Sequence, residues 1–195
     1  MKKFLFILSF ATLTTAFGQR PDVLIGNDYE SISGFGGVFI TLASVDGQVM
    51  PYTGGGGAVL LDNTFYFGGY GLGLSGDQTI TARSNNNEYD VDISHGGFML
   101  GYNIKPSKLA HIGISSKLGW GSIDYRARDD ANSNVDDQIF VIFPQAEVEF
   151  NMTHWFKLNV GVGYQQVIGV DDFHYKQSEV SSPAASISFL FGWFY

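Results

Sequence analysis

Seven polar side chains fall in phase along three neighbouring apolar stretches: Lys117 on one, Gln145, Glu147 and Glu149 on the next, and Lys157, Asn159 and Gln165 on a third. Each alternates with large apolar residues, such as Leu118, Val148 and Leu158. Such spacing puts the polar groups on one side of a strand and the apolar groups on the other. Charges that turn away from water must be paired and hydrogen-bonded, so a Lys/Glu network bridging the three strands is expected. Such a network could serve as a proton or ion path, or as a gate. The plainer reading, a polar plug that fills a narrow interior, is preferred.

Other candidate chemistry is thinner. Asp130, Asn132, Asn134 and Asp136 offer oxygens at alternate positions, as calcium loops do. The loop has Val135 where the turn glycine should stand and Val141 in place of the closing acid. A solvated acidic loop is preferred to a surface divalent-cation site. Gly71-x-Gly73-x-x-Gly76 matches a dinucleotide fingerprint in form, but it lies inside a strand pattern and opens no helix. Gly54 to Gly57 lacks the lysine and hydroxyl of a phosphate loop. No cofactor is therefore expected. The nearest approaches to a Ser/His couple are Ser94 with His95 and His111 with Ser115, and no catalytic residue is assigned.

The elements that must position these groups are strands. The chain of 195 residues carries a net charge of −8, no cysteine and 25 glycines. That size suits one domain, and the acidic balance argues against nucleic acid as a partner. Beyond its first residues, no stretch approaches the roughly 20 apolar residues of a membrane helix. The amino terminus has the form of an export signal: Lys2 and Lys3, an apolar run from Phe4 to Ala11, and Ala16-Phe17-Gly18 before Gln19. Residues 1–18 read as a cleaved signal peptide, 19–30 as a short periplasmic lead and 31–195 as the folded domain.

Within that domain about eight alternating strands are predicted: Ser31 to Ala43, Thr53 to Asp62, Thr64 to Ser75, Ile93 to Lys105, His111 to Tyr125, Ile139 to Phe150, Phe156 to Gln165, and Ser182 to the end. Long polar connections are expected after the first, third, fifth and seventh strands, and short turns after the others. The last strand sets Ile187, Phe189, Phe191, Trp193 and Tyr195 against Ser186, Ser188, Leu190, Gly192 and Phe194. Apolar residues that alternate on every strand, short turns at one end and long loops at the other are the pattern of an eight-stranded antiparallel transmembrane β-barrel, an up-and-down meander. Closure follows because lipid offers no hydrogen bonds to an open edge.

On the export signal, on Gly/aromatic strands such as Phe65-Tyr66-Phe67-Gly68-Gly69-Tyr70-Gly71 and on the terminal Phe191-Gly192-Trp193-Phe194-Tyr195, the chain resembles the small OmpA/OmpX-like outer-membrane barrels, in the form common in Bacteroidota. The resemblance implies an outer-membrane location in a Gram-negative cell, with membrane lipids and lipopolysaccharide as surroundings. It makes Phe191, Trp193 and Tyr195 the signal read by the barrel-insertion machinery. A structural or interactional role follows, through surface loops or as a subunit beside another outer-membrane protein. A lipid A-modifying enzyme and a narrow ion channel are the alternatives.

Overall fold

The computed structural model describes residues 31–45, 47–76, 78–81, 88–127, 134–170 and 180–194. Nine strands run β1 Ile32–Val45, β2 Gln48–Leu61, β3 Phe65–Leu74, β4 Gln78–Thr81, β5 Glu88–Ile104, β6 Ala110–Ala127, β7 Asn134–Asn151, β8 Phe156–Ile168 and β9 Ser182–Gly192. All neighbours pair antiparallel, in the order β3-β2-β1-β9-β8-β7-β6-β5-β4. A further pairing of β3 with β5 closes the sheet on itself. The short β4 continues the line of β3 along the same neighbour: Gly73 pairs with Ser94, and Gln78 with Val91. Four residues on one side oppose two on the other, so the join is a bulge at which Gly76 takes φ 76°. The result is a closed eight-stranded antiparallel meander.

Alternation decides what faces where. Val38, Val59, Phe67, Phe98, Trp120, Val162 and Ile187 stand exposed on the outer surface. Phe39, Leu60, Tyr66, Met99, Val141 and Leu190 are buried inside. An eight-stranded barrel is just wide enough for side chains to fill, and this one is filled in two layers. At the end of the long loops Val45, Met50, Ile93, Ile123, Val141, Phe143 and Val167 form an apolar cluster. Toward the short turns, Phe39, Leu60, Tyr66, Tyr70, Met99 and Leu190, from β1 to β3, β5 and β9, make an aromatic and aliphatic crescent. It faces the polar side chains of β6 to β8.

Two sequence expectations fail at the loop end. The polar segment predicted after the first strand is mostly strand: Val45 pairs with Gln48, leaving residues 46–47 as a two-residue connection, with Gly47 at φ 79°. Pro51 thus lies within β2, opposite Leu42, and its carbonyl accepts from Ser75 N at 2.8 Å. Strand pairing also runs past the predicted ends of the fourth, fifth and sixth strands, through Tyr89↔Ala127 and Arg126↔Asn134. At 17, 18 and 18 residues, β5, β6 and β7 exceed the 9–11 that cross a bilayer at a tilt. Hydropathy does not signal such extensions, because residues 88–92 and 134–138 are mostly polar in sequence, while the backbone ladder continues unchanged.

Candidate functional site

The polar interior is built on the short-turn half of β6, β7 and β8. Register brings Glu149 opposite Asn159 and His111, and Asn151 opposite Lys157. Lys117, Gln145, Glu147, Glu149, Lys157, Asn159 and Gln165 are all buried. They fall into separate groups.

Nearest the turns, Glu149 Oε1 accepts from Lys157 Nζ at 2.8 Å and from His111 Nε2 at 3.0 Å. The face of Phe194 lies 4.3 Å from the same Nζ. One layer further in, Glu147 Oε1 accepts from Ser115 Oγ at 2.6 Å and its Oε2 from Asn159 Nδ2 at 2.8 Å. Gln145 Oε1 accepts from Ser186 Oγ at 2.9 Å. Gln165 lies in the next layer, against Tyr52. His95 Nδ1 meets the Tyr70 hydroxyl at 3.0 Å.

Lys117 is the exception to the expected Lys/Glu pairing. Among the described residues no carboxylate lies within ion-pair distance of it. Its ammonium sits 5.5 Å from the centre of the Phe39 ring and 5.2 Å from that of Phe143. Aromatic faces attract a cation in this way. Lys117, Glu147, Asn159 and Tyr66 line a cavity of about 20 Å³, enough to hold one water. Lys117→Met, which keeps the length and loses the charge, is expected to leave stability unchanged or to raise it by about 1 kcal/mol. Urea unfolding in lipid vesicles measures this, and a loss above about 2 kcal/mol would show that Glu147 compensates the charge through water.

Elsewhere the predicted constellations come apart. Ser94 is exposed and His95 buried, because neighbours on a strand point to opposite faces. Ser115 donates to Glu147 while His111 is held by Glu149 and by the Lys108 carbonyl at 3.3 Å. Neither serine therefore bonds to its candidate histidine. Of the acidic positions considered for a cation, Asn134 and Asp136 belong to β7, paired with Arg126 and Asp124. Asp130 and Asn132 lie outside the described residues. Phe191 and Trp193 are exposed on the outer surface, and Tyr195 is outside the described residues.

Sequence reasoning missed His111, Ser115 and Ser186 as members of the polar interior, and Phe194 as the cover of Lys157. Parity could have found the first two, since His111 and Ser115 share the phase of Lys117. No local pattern announces that the end of β9 reaches Lys157.

No protein-family model and no curated protein matches the sequence. Solved structures do. The amino-terminal β-barrel domain of Pseudomonas aeruginosa OprF aligns over 83% of this chain and 97% of its own, with TM-score 0.54 and 11% identity. Neisserial surface protein A (NspA) aligns over 84% and 97%, with TM-score 0.54 and 10% identity. Ail, the attachment invasion locus protein of Yersinia pestis, aligns over 83% and 97%, with TM-score 0.51 and 11% identity. At such identities the likeness is one of fold: the chain has the eight-stranded barrel architecture that these three share. Nothing in it singles out the form common in Bacteroidota.

Proposed function

We propose that this chain is an integral outer-membrane β-barrel with a structural or interactional role, and neither an open diffusion pore nor an enzyme. The observation that carries the reading is the inversion of the closed sheet, apolar outside on every long strand and packed with apolar and polar side chains along the middle of its interior. A barrel in water would turn Val38, Phe67, Phe98, Trp120 and Ile187 inward, whereas these stand exposed. In a bilayer the same residues meet lipid, and closure satisfies every backbone group where no water is available. The export signal at residues 1–18 supports a route to the outer membrane. Short turns then face the periplasm and the long connections face outward. The interior argues against conduction, because the apolar cluster around Ile123, Val141 and Phe143 lies in series with the charged layers. Activity falls to the outward loops and the protruding ends of β5 to β7, which can meet surface ligands or a partner barrel.

The test is reconstitution of the purified barrel in planar bilayers, alongside fractionation of the native membranes. Recovery with the outer membrane and no steady single-channel current is expected. A stable ohmic conductance would overturn the closed-lumen reading, and recovery in the soluble fraction would overturn the membrane reading.

A further inference from the structure

The chain enters the barrel at its short-turn mouth, and that mouth is hollow. Ser31 N donates to Asp62 Oδ1 at 2.8 Å, and Asp62 N donates in return to the Ser31 carbonyl at 2.9 Å. Asp62 lines a cavity of about 520 Å³ ringed by the three short turns, the size of a site for a drug-sized molecule. Its accessible wall is apolar at exposed Met152 and at half-buried Pro106 and Phe194. Ser107, Thr153 and His154, all exposed, add polar groups around the rim. The rim is already ordered. Asn151 Nδ2 donates to the carbonyls of Pro106 at 2.8 Å and Lys108 at 2.7 Å, and Asn103 Nδ2 to that of Asn63 at 3.3 Å. An occupant therefore loses little affinity to the fixing of these turns.

Residues 19–30, which lead into Ser31, lie outside the described residues. Their sequence holds three consecutive large apolar residues, Val23-Leu24-Ile25, bounded by Pro21-Asp22 and Gly26-Asn27. Such a run is unfavourable in water and gains by burial. Ile25 is 31 − 25 = 6 residues from Ser31, a reach of at most about 20 Å. Ser31 is itself fixed to a residue of the cavity wall, so the run is long enough to enter and too short to stray far. Charge agrees with this placement. The lead carries Arg20 against Asp22, Asp28 and Glu30, or 1 − 3 = −2, and the turn beside the cavity carries exposed Lys105 and Lys108. Tethering also holds the run near the mouth at an effective concentration on the order of millimolar, so modest contacts suffice.

We propose that Val23-Leu24-Ile25 docks in this mouth against Met152, Pro106 and Phe194, so that the chain's own lead closes the barrel from the short-turn side. The acids of the lead lie toward Lys105 and Lys108. Lys157 and Asn151 stay covered beneath, and the docking uses only groups that the cavity exposes. It does not depend on the membrane assignment and can be read in detergent micelles.

The chain contains no cysteine, so introduced thiols report without background. Ser107→Cys places one on the exposed cavity wall, and Gly26→Cys places another beside the apolar run while leaving the run whole. Oxidation of the folded full chain with copper phenanthroline should join the two, since docking brings their Cα atoms within the roughly 4.4–6.8 Å that a disulfide spans. Adding Val23→Ser, Leu24→Ser and Ile25→Ser keeps the tether and removes the anchor. The bond should then form about tenfold more slowly, because the effective concentration at the mouth falls. Ser107→Cys alone, labelled with a bulky maleimide, should react about tenfold faster in the triple-serine chain, since only the undocked fraction of the native chain is open. No bond in either chain, equal rates of bond formation, or equal rates of labelling would each overturn the proposal.

Discussion

Glu149→Ala is expected to destabilise the barrel by about 3–5 kcal/mol, the usual consequence of stripping one partner from a buried ion pair. Glu149 is 2% exposed, and a single oxygen serves both Lys157 and His111. Without it Lys157 keeps, among the described residues, only the face of Phe194, which is weaker than a carboxylate at contact distance. The double variant Glu149→Leu with Lys157→Met should recover much of the loss, because removing both charges also removes the cost of burying them. Glu147→Ala should cost less, about 1–3 kcal/mol, since it leaves the neutral donors Ser115 and Asn159 unpaired. The sequence alone suggested that Glu147 holds a lysine; the geometry gives that part to Glu149. Urea unfolding of the vesicle-folded protein, followed by tryptophan fluorescence, ranks the two. Equal losses would show that the charged layer acts as one network.

The second large effect is expected at Gly101, where a valine should cost about 3 kcal/mol, the upper end for an overpacked core. A Cβ built there would overlap the Tyr66 ring. That ring cannot give way cheaply: it is 8% exposed and packs edge-on against Phe35, with centroids 5.4 Å apart at 78°. Tyr66 also lines the cavity beside Glu147 and Lys117, so its displacement disturbs the polar layer as well. Tyr66→Ala introduced into the Gly101→Val chain should restore part of the stability, a coupling that independent sites would not show. Gly71→Ala is the control, because a Cβ there faces outward with nothing within 4 Å. It should change stability by no more than about 0.5 kcal/mol. A loss at Gly71 as large as that at Gly101 would mean that the glycines serve backbone flexibility and not the seating of aromatic rings.

Much of this architecture was legible in the amino-acid order. Period-two alternation places Lys117, Glu147, Glu149 and Lys157 on one side and Val148, Val160 and Ile187 on the other, because successive side chains of a strand point to opposite faces. The short turns at 62–64, 105–109 and 152–155 were legible for the same reason, as breaks between strands that keep their phase. Where the apolar face ends, so does the signal. The outer parts of β5, β6 and β7 looked like loops, and Gln48 to Tyr52 looked like a polar connection.

Which polar groups meet was decided only in three dimensions. Alternation fixes the face of a residue but not its height in the barrel. Height depends on the register of each pairing and on how the sheet closes. Register set Glu149 beside His111, one strand away, and beside Lys157 on the other side. It left Lys117 between two phenyl rings drawn from β1 and β7. Closure brought the end of β9 under the barrel, so that Phe194 covers Lys157 and the three turns enclose a cavity with it. The sequence by itself thus determined a closed, outward-apolar barrel with charges inside. The tertiary structure decided their pairing, because contacts across a lumen join residues that hydropathy along a single strand cannot relate.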